Sequence, residues 1–232
     1  MFYLTLVYQT KNKMSTISFY LNWSKIRKKH NFLLFFEKGE YNIERIKKRC
    51  IMATVNMVLF EPEIPQNTGN IMRTCVATNT ILHLIEPLGF KLDDNHMRRS
   101  GVNYAKYLKI CVYKNFDEFI EKNILNNDKA EMYFLSRYGK KHIYDVKASD
   151  QDKDYFLILG KESTGIPKDI LKNYLDRCIR LPMTDKVRAL NVSNVAAIMI
   201  YEVWRQLGFP NMFEYEPDAS KEGFKGADWL EK

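Results

Sequence analysis

From residue 52 onward, short continuous runs of apolar residues alternate with segments in which apolar residues recur every three or four positions. Continuous runs bounded by Pro or Gly are typical of buried strands, and the wider spacing is typical of amphipathic helices. The predicted strands span residues 55–60, 81–85, 107–113, 132–135, 155–159 and 177–181. The predicted helices span 68–78 (capped by Asn67 or Thr68), 116–125, 167–174 and 192–207. This alternation predicts an α/β fold, a mostly parallel sheet with helices on both faces.

The first 51 residues differ from the rest in charge. They contain 11 Lys and Arg against 3 Asp and Glu, whereas residues 52–232 contain 25 of each. The net charge of +8 therefore belongs to the first segment alone. We interpret residues 1–51 as a basic N-terminal extension, non-native or disordered; a transit peptide is less favoured, because the segment is rich in Lys rather than Arg. We expect the functional domain at 52–210 and a loose tail at 211–232.

The composition excludes several classes of protein. A chain that is 46% hydrophobic and 28% charged is globular rather than largely disordered. No stretch has the roughly 18 uninterrupted apolar residues of a membrane-spanning helix, so we expect no membrane association. The four cysteines form no C-x-x-C pair and the four histidines have no ligand spacing, so we expect a reduced, cytoplasmic protein without a metal. The order of glycines and lysine at 160–165 does not fit a Walker phosphate loop.

Three polar segments follow predicted strands and carry the candidate chemistry. The first, residues 61–73 (EPEIPQNTGNIMR), places Asn67, Asn70 and Arg73 at a spacing of three on one face of a helix. The second, residues 156–167 (FLILGKESTGIP), ends a strand in a loop with two glycines and one carboxylate. The third combines residues 179–183 (IRLPM) with residues 188–202 (RALNVSNVAAIMIYE). Open α/β sheets place ligands at the carboxyl ends of their strands, where these segments lie.

In this order and at these separations, the three segments resemble the motifs of the SPOUT methyltransferases. More narrowly, residues 61–73, 85–90 (IEPLGF) and 201–208 (YEVWRQLG) resemble the small bacterial tRNA ribose methyltransferases that act on the wobble nucleotide. The resemblance covers roughly residues 54–210. It implies a C-terminal deep trefoil knot, S-adenosylmethionine as the cofactor, tRNA as the partner, and a homodimer formed through the C-terminal helix, on which Tyr201 and Trp204 lie.

The resemblance also implies the site residues. By motif position, Leu135, Gly160, Leu181 and Ala189 line the cofactor site; family members usually carry Ser where this chain has Ala189. It makes the arginine of the first motif, Arg73, central to catalysis, and we pair it with Asn70. Because an arginine is a poor proton acceptor, we expect Arg73 to position the ribose 2′-hydroxyl and to stabilise developing negative charge.

The expected function is therefore S-adenosylmethionine-dependent methylation of the ribose 2′-hydroxyl of the wobble cytidine or uridine in the tRNA anticodon. Two alternatives stay open. The same chemistry on another tRNA or rRNA site would use the same motifs. A knotted RNA-binding protein without catalysis would have lost cofactor binding.

Overall fold

The computed structural model describes residues 53–92, 105–213 and 215–217, together with the backbone of four strands in the first 42 residues. The chain divides into two compact units, Met1–Ile51 and Met52–Lys232. Most of the expected tail at 211–232 lies outside the described residues.

The first unit contains two antiparallel strand pairs. Strand β1 (Phe2–Thr10) pairs with β2 (Lys13–Leu21), and β3 (Leu33–Phe36) pairs with β4 (Gly39–Asn42). The sequence pattern did not predict these strands.

The second unit is built on a seven-stranded parallel sheet. Its strands are β5 (Thr54–Phe60), β6 (Ile81–Ile85), β7 (Ile110–Tyr113), β8 (Ala130–Leu135), β9 (Lys141–His142), β10 (Asp154–Leu159) and β11 (Cys178–Arg180). The order across the sheet is β7-β6-β5-β10-β8-β11-β9, and every neighbouring pair is parallel. The predicted parallel α/β sheet is confirmed, and the two-residue strand β9 is an addition.

In the described part of this unit, four α-helices cover the sheet: α1 (Pro65–Ala77), α2 (Phe116–Asn123), α3 (Lys168–Leu171) and α4 (Val192–Leu207). Alternate residues of β5 enter two different cores. Met57 packs in the core that contains the buried faces of α1 and α4, whereas Val58 packs in the core that contains α2 and α3 residues. The sheet is therefore buried on both faces, which explains why its strands are continuous apolar runs.

Several predicted boundaries need correction. Helix α1 begins three residues earlier than expected, with Pro65 in its first turn and Ile64 as the capping residue, so neither Asn67 nor Thr68 is the cap. Proline fits a first helical turn because that turn lacks an acceptor for its amide in any case. The third strand covers only its predicted C-terminal half, and a 3₁₀ turn (Ala105–Tyr107) precedes it. The helix predicted at 167–174 is α3 followed by a 3₁₀ segment (Lys172–Arg177).

The second core contains a buried polar group at His83 on β6. Its Nδ1 lies 2.9 Å from the Tyr113 hydroxyl, and its Nε2 lies 3.1 Å from Asn56 Oδ1. The rings of Phe119 and Phe156 pack edge-on against it. This burial lowers the pKa of His83 from 6.5 to about 4, because the charged form is poorly solvated there. The imidazole is therefore neutral at physiological pH and pins three strands together.

No helix in the described part of the chain is long and apolar enough to cross a membrane.

Candidate active site

The candidate site lies where the direction of chain progression in the sheet reverses. The chain proceeds from β5 outward through β6 to β7, then returns to the other side of β5, where β10 is inserted between β5 and β8. In open parallel sheets, ligands bind in the crevice at the carboxyl ends of the strands that flank such a reversal. The first motif follows β5 and the second follows β10, so both motif loops emerge at this crevice.

A chain of hydrogen bonds joins all three motifs at this position. The carboxylate of Glu162 accepts the backbone N–H of Glu63 at 2.9 Å and the Asn67 side-chain amide at 3.1 Å. The Asn67 carbonyl oxygen in turn accepts the side-chain amide of Asn191 at 3.0 Å. Asn191 also caps α4, because its Oδ1 accepts the backbone N–H of Ser193 at 2.8 Å. Residues more than 90 positions apart in the sequence are thereby held in one constellation.

A second set of contacts fixes the loop after β10. The Glu63 carboxylate accepts both the backbone N–H and the hydroxyl of Ser163, at 2.9 and 2.8 Å. These two donors, the backbone N–H first, lower the pKa of Glu63. The ammonium of Lys161 pairs with the Glu61 carboxylate. The two glutamates of the first motif therefore hold the second motif's loop in place.

The two predicted catalytic residues lie on α1, one turn apart. Asn70 and Arg73 are both exposed on this helix, whereas Asn67 is buried and turned toward Glu162. The spacing of three had suggested that these residues share one face, but the structure places them in different environments. Each step of three residues rotates the side chain by about 60° around the helix. Asn67 therefore anchors the helix, whereas Asn70 and Arg73 are exposed to solvent.

Three of the four predicted cofactor residues lie at one edge of the sheet. Leu135 ends β8, Gly160 follows β10, and Leu181 follows β11, and these strands are neighbours in the order β10-β8-β11. Leu181 is buried, while Leu135 and Gly160 are partly exposed. Ala189 lies exposed in the loop that leads to α4. The carboxyl ends of three adjacent strands thus bring together residues from separate motifs.

Gly160 is required by its own loop. A Cβ at this position would meet the backbone nitrogen of Ile166 and, at 2.5 Å, the carbonyl carbon of Gly165. An isolated antiparallel bridge joins the backbones of Lys161 and Gly165 across the loop, and Gly165 adopts a left-handed φ of 74°. The absence of a side chain at Gly160 is therefore required by contacts within the protein. The loop nevertheless forms a tight backbone turn at the sheet edge, which fits a ligand held by backbone groups.

Asn67, Glu162 and Asn191 lie within the three motifs, but the sequence pattern did not single them out as site residues. Each of them is one of several polar residues in its motif, and only the structure shows which of those residues point inward. Among the residues that the structure describes, no group of three or more His, Cys, Asp or Glu side chains is arranged to hold a metal ion.

The fold and the site together define an α/β protein whose candidate site is assembled from three loops at the carboxyl ends of the strands of a parallel sheet. A model of the SpoU rRNA Methylase family matches residues 54–201, and the chain belongs to this family. This membership confirms the resemblance that the three motifs indicated.

Two curated relatives match over nearly their whole length. A Geobacillus stearothermophilus protein, provisionally named tRNA (cytidine(34)-2′-O)-methyltransferase, is 48% identical over 155 residues, which are 67% of this chain and 96% of the relative. A Saccharophagus degradans protein named tRNA (cytidine(34)-2′-O)-methyltransferase is 44% identical over 155 residues, 66% of this chain and 96% of its own.

Solved structures share the fold. A structure described as giving insights into the 2-OH methylation of C/U34 on tRNA is 33% identical, with a TM-score of 0.60, and covers 68% of this chain and 97% of its own. A SpoU methyltransferase from Streptomyces viridochromogenes, solved in complex with AdoMet, is 20% identical with a TM-score of 0.56, covering 67% of this chain and 58% of its own. At that identity the second likeness concerns the fold alone.

Proposed function

We propose that this protein is an S-adenosylmethionine-dependent methyltransferase that modifies the ribose 2′-hydroxyl of the wobble nucleotide, cytidine or uridine 34, in tRNA. The observation that carries the proposal is the Glu162–Asn67–Asn191 chain, which joins the three motifs into one site next to the exposed Asn70 and Arg73. The relatives named for cytidine 34 methylation share 44–48% of the matched residues, which supports the choice of substrate. Because the substrate is tRNA, the proposal includes the cytoplasm as the place of action.

The proposed cofactor residues are Leu135, Gly160, Leu181 and Ala189, at the loop ends already described. When bound there, S-adenosylmethionine would supply an electrophilic methyl group. The backbone of the Gly160 loop is held rigid by Glu61 and Glu63, so its amide and carbonyl groups are pre-oriented for a ligand. Ala189 offers only backbone groups and a methyl, so any contact made by a serine hydroxyl in relatives is absent here.

In the proposed mechanism, Arg73 and Asn70 act on the ribose. An arginine remains protonated at neutral pH, so Arg73 cannot serve as a base. Its guanidinium and the Asn70 amide would orient the 2′-hydroxyl and stabilise the negative charge that develops on its oxygen. The proton would pass to solvent or to a phosphate of the RNA. Glu162 and Asn67 would act indirectly, by fixing α1 against the cofactor loops.

The proposal includes the trefoil knot implied by the resemblance. Strand β11 lies between β8 and β9, although β8 and β9 precede it in the chain. The short connection between β8 and β9 therefore passes across β11. At the crossing, a Cβ on Gly139 would lie 2.6 Å from the Ile179 carbonyl carbon, so the two backbones are in direct contact. A later segment running beneath an earlier loop is the element from which such a knot is made.

We also propose a homodimer through α4, with a change in the anchoring residues. The sequence suggested Trp204 as an anchor, but Trp204 is only 3% exposed and its Nε1 donates to Thr80 Oγ1 at 3.1 Å, inside its own unit. Ile198 and Tyr201, three positions apart, are 42% and 49% exposed on the same helix. These two residues are the proposed contact. An Ile198→Asp variant is expected to be monomeric by light scattering at micromolar concentration, whereas an Ile64→Asp variant, on an exposed apolar residue of a different element, keeps the wild-type mass.

The decisive experiment pairs calorimetry of S-adenosylmethionine binding with mass spectrometry of the tRNA anticodon fragment after incubation with the full chain. Arg73→Ala is expected to lower turnover by about 100- to 1,000-fold, the typical effect of removing one oriented charge stabiliser. Cofactor affinity should change little, because Arg73 is exposed on α1 and is not among the residues proposed to line the cofactor site.

Three outcomes would contradict parts of the proposal. Near-normal turnover in Arg73→Ala would remove its catalytic role. A methyl group at another tRNA or rRNA position would retain the chemistry and change the substrate. A wild-type chain that binds RNA but no S-adenosylmethionine would leave a non-catalytic RNA-binding protein.

A further inference from the structure

A basic and aromatic surface lies beside the proposed cofactor loops and has no part in the function described so far. We call residues 137–147 (RYGKKHIYDVK) the aromatic-basic segment. It carries four Lys or Arg against one Asp, whereas the rest of residues 52–232 contains 21 Lys and Arg against 24 Asp and Glu. It begins two residues after Leu135 and crosses β11 at Ile179, two residues before Leu181. The segment therefore borders the proposed cofactor site.

Two tyrosine rings of this segment are presented to solvent. Tyr138 is 69% exposed and Tyr144 is 60% exposed. Each has a partner that orients its ring: the Arg137 guanidinium lies 4.8 Å from the Tyr138 centroid, and the His142 ring stacks on Tyr144 at 5.0 Å with an interplanar angle of 25°. An exposed aromatic ring that is already held in one orientation can stack on a ligand with little further loss of side-chain freedom.

The backbone beneath these rings is anchored in the core. Ile143 and Val146 are buried in the same core as α4, and the Ala148 N–H donates to Gln206 Oε1 on α4 at 2.8 Å. The His142 N–H donates to the Asp145 carboxylate at 2.7 Å. Buried anchors thus alternate with exposed rings and cations, which gives a firm surface rather than a loose loop.

This combination matches unpaired RNA. Bases that are not paired stack on aromatic side chains, while nearby cations neutralise their phosphates; the bases of a duplex are already stacked and cannot do so. An acidic protein would use the cations but would not need two open rings. We propose that the aromatic-basic segment is the surface on which the anticodon loop lies, with Tyr138 and Tyr144 stacking on bases that flank the target nucleotide. This inference rests on the proposed function, since it names the part of the tRNA that the site receives.

The test measures binding of the full chain to an anticodon stem-loop RNA by fluorescence anisotropy, with the same stem lacking its loop as a second probe. Stacking on one aromatic ring contributes about 1–3 kcal/mol per base, so Tyr138→Ala and Tyr144→Ala should each weaken stem-loop binding by about 5- to 150-fold. Tyr138→Phe and Tyr144→Phe should bind like wild type, because they keep the ring. Binding of the loopless stem should not change.

Tyr107→Ala is the matched control. Tyr107 is 63% exposed and has the Lys106 ammonium 4.9 Å from its ring centroid, but it precedes β7 at the opposite side of the sheet. It should bind the stem-loop like wild type. Lys140→Gln should lower the slope of log affinity against log salt by about 0.7, the value for one phosphate contact to a single strand. Calorimetry with S-adenosylmethionine verifies that each variant keeps a folded cofactor site.

In turnover, the tyrosine-to-alanine variants should raise KM for tRNA and leave kcat nearly unchanged. Equal loss for both RNA probes, an equal effect of Tyr107→Ala, or unaltered binding by Tyr138→Ala and Tyr144→Ala would overturn the inference while leaving the methylation assignment in place. A methyl group mapped to a nucleotide outside the anticodon loop would instead overturn the proposed function, and the ring-dependent binding of the stem-loop would still identify the surface.

Discussion

Replacing Asn67 by Asp tests the contact that joins the motifs. The Asn67 amide donates to the Glu162 carboxylate at 3.1 Å, and Asn67 is buried. Asn67→Asp is nearly identical in shape but sets two carboxyl groups against each other at that distance. With an effective dielectric constant of about 20, two unit charges 3.1 Å apart repel by about 5 kcal/mol. The folded state avoids this repulsion by keeping one proton on the pair.

The sign of the pH dependence follows from that proton. In the unfolded chain both carboxyl groups ionise near pH 4, whereas in the folded variant the pKa of one of them is raised. Above pH 4 the folded state therefore binds more protons than the unfolded state, and stability falls as pH rises. The free energy of unfolding should drop below that of wild type by about 1.4 kcal/mol for each pH unit, up to a limit of about 5 kcal/mol.

The assay is urea unfolding of wild type and variant at several pH values between 5 and 8. Asn70→Asp is the control. It introduces the same charge on the same helix, one turn further along, at a position that is exposed to solvent. Its stability relative to wild type should hardly depend on pH. Any favourable interaction of the new charge with the N-terminal end of α1 would act against the expected loss. A constant difference between Asn67→Asp and wild type across this range would refute the contact with Glu162.

Four further results are expected. Gly160→Ala should lower both the melting temperature and the affinity for S-adenosylmethionine, because the added Cβ overlaps the backbone of its own loop. Gly165→Ala meets no atom within 4 Å, so it should lower the free energy of unfolding only by the roughly 1–2 kcal/mol of a left-handed backbone. Because the pKa of His83 is about 4 in the folded state and 6.5 in the unfolded chain, the unfolded chain takes up a proton first as the pH falls. The free energy of unfolding of wild type should therefore fall by about 3 kcal/mol between pH 6.5 and 4. His83→Gln should remove this pH dependence in urea titrations. Trp204→Ala should destabilise the fold by about 3–5 kcal/mol in the same assay, rather than merely dissociate a dimer. Residues 52–232 expressed alone should melt cooperatively and methylate tRNA at the rate of the full chain; an inactive fragment would show that residues 1–51 contribute.

The sequence determined the elements of the second unit well, because each element depends on local pattern. Strands buried on both faces are continuous apolar runs, and β5, β6 and β10 were predicted to within one residue. Helix α4 was predicted to the residue, since its apolar spacing ends at Gly208, which adopts a left-handed φ of 77° after the last turn. The order of the three motifs also sufficed to identify the family.

Elements that are too short to show a hydrophobic pattern could not be predicted from the sequence. Strand β9 has only two residues, which pair with β11, so no periodicity marks it in the sequence. The predicted start of α1 at residue 68 is three residues too late, because Pro65 occupies the first turn of the helix.

Only the tertiary structure decided which polar residues meet. Asn67 and Asn70 have the same side chain and lie three positions apart, yet one faces Glu162 and the other faces solvent, since the neighbouring loop covers only one side of α1. The sequence also left open whether Trp204 packs in the core or in an interface, because an aromatic residue on a helix suits either place. In the structure its N–H donates to Thr80, 124 positions away in the sequence, inside the core of its own unit. The sequence thus determined the elements and the chemistry of their ends. The insertion of β10 beside β5, which no local pattern encodes, brought those ends together.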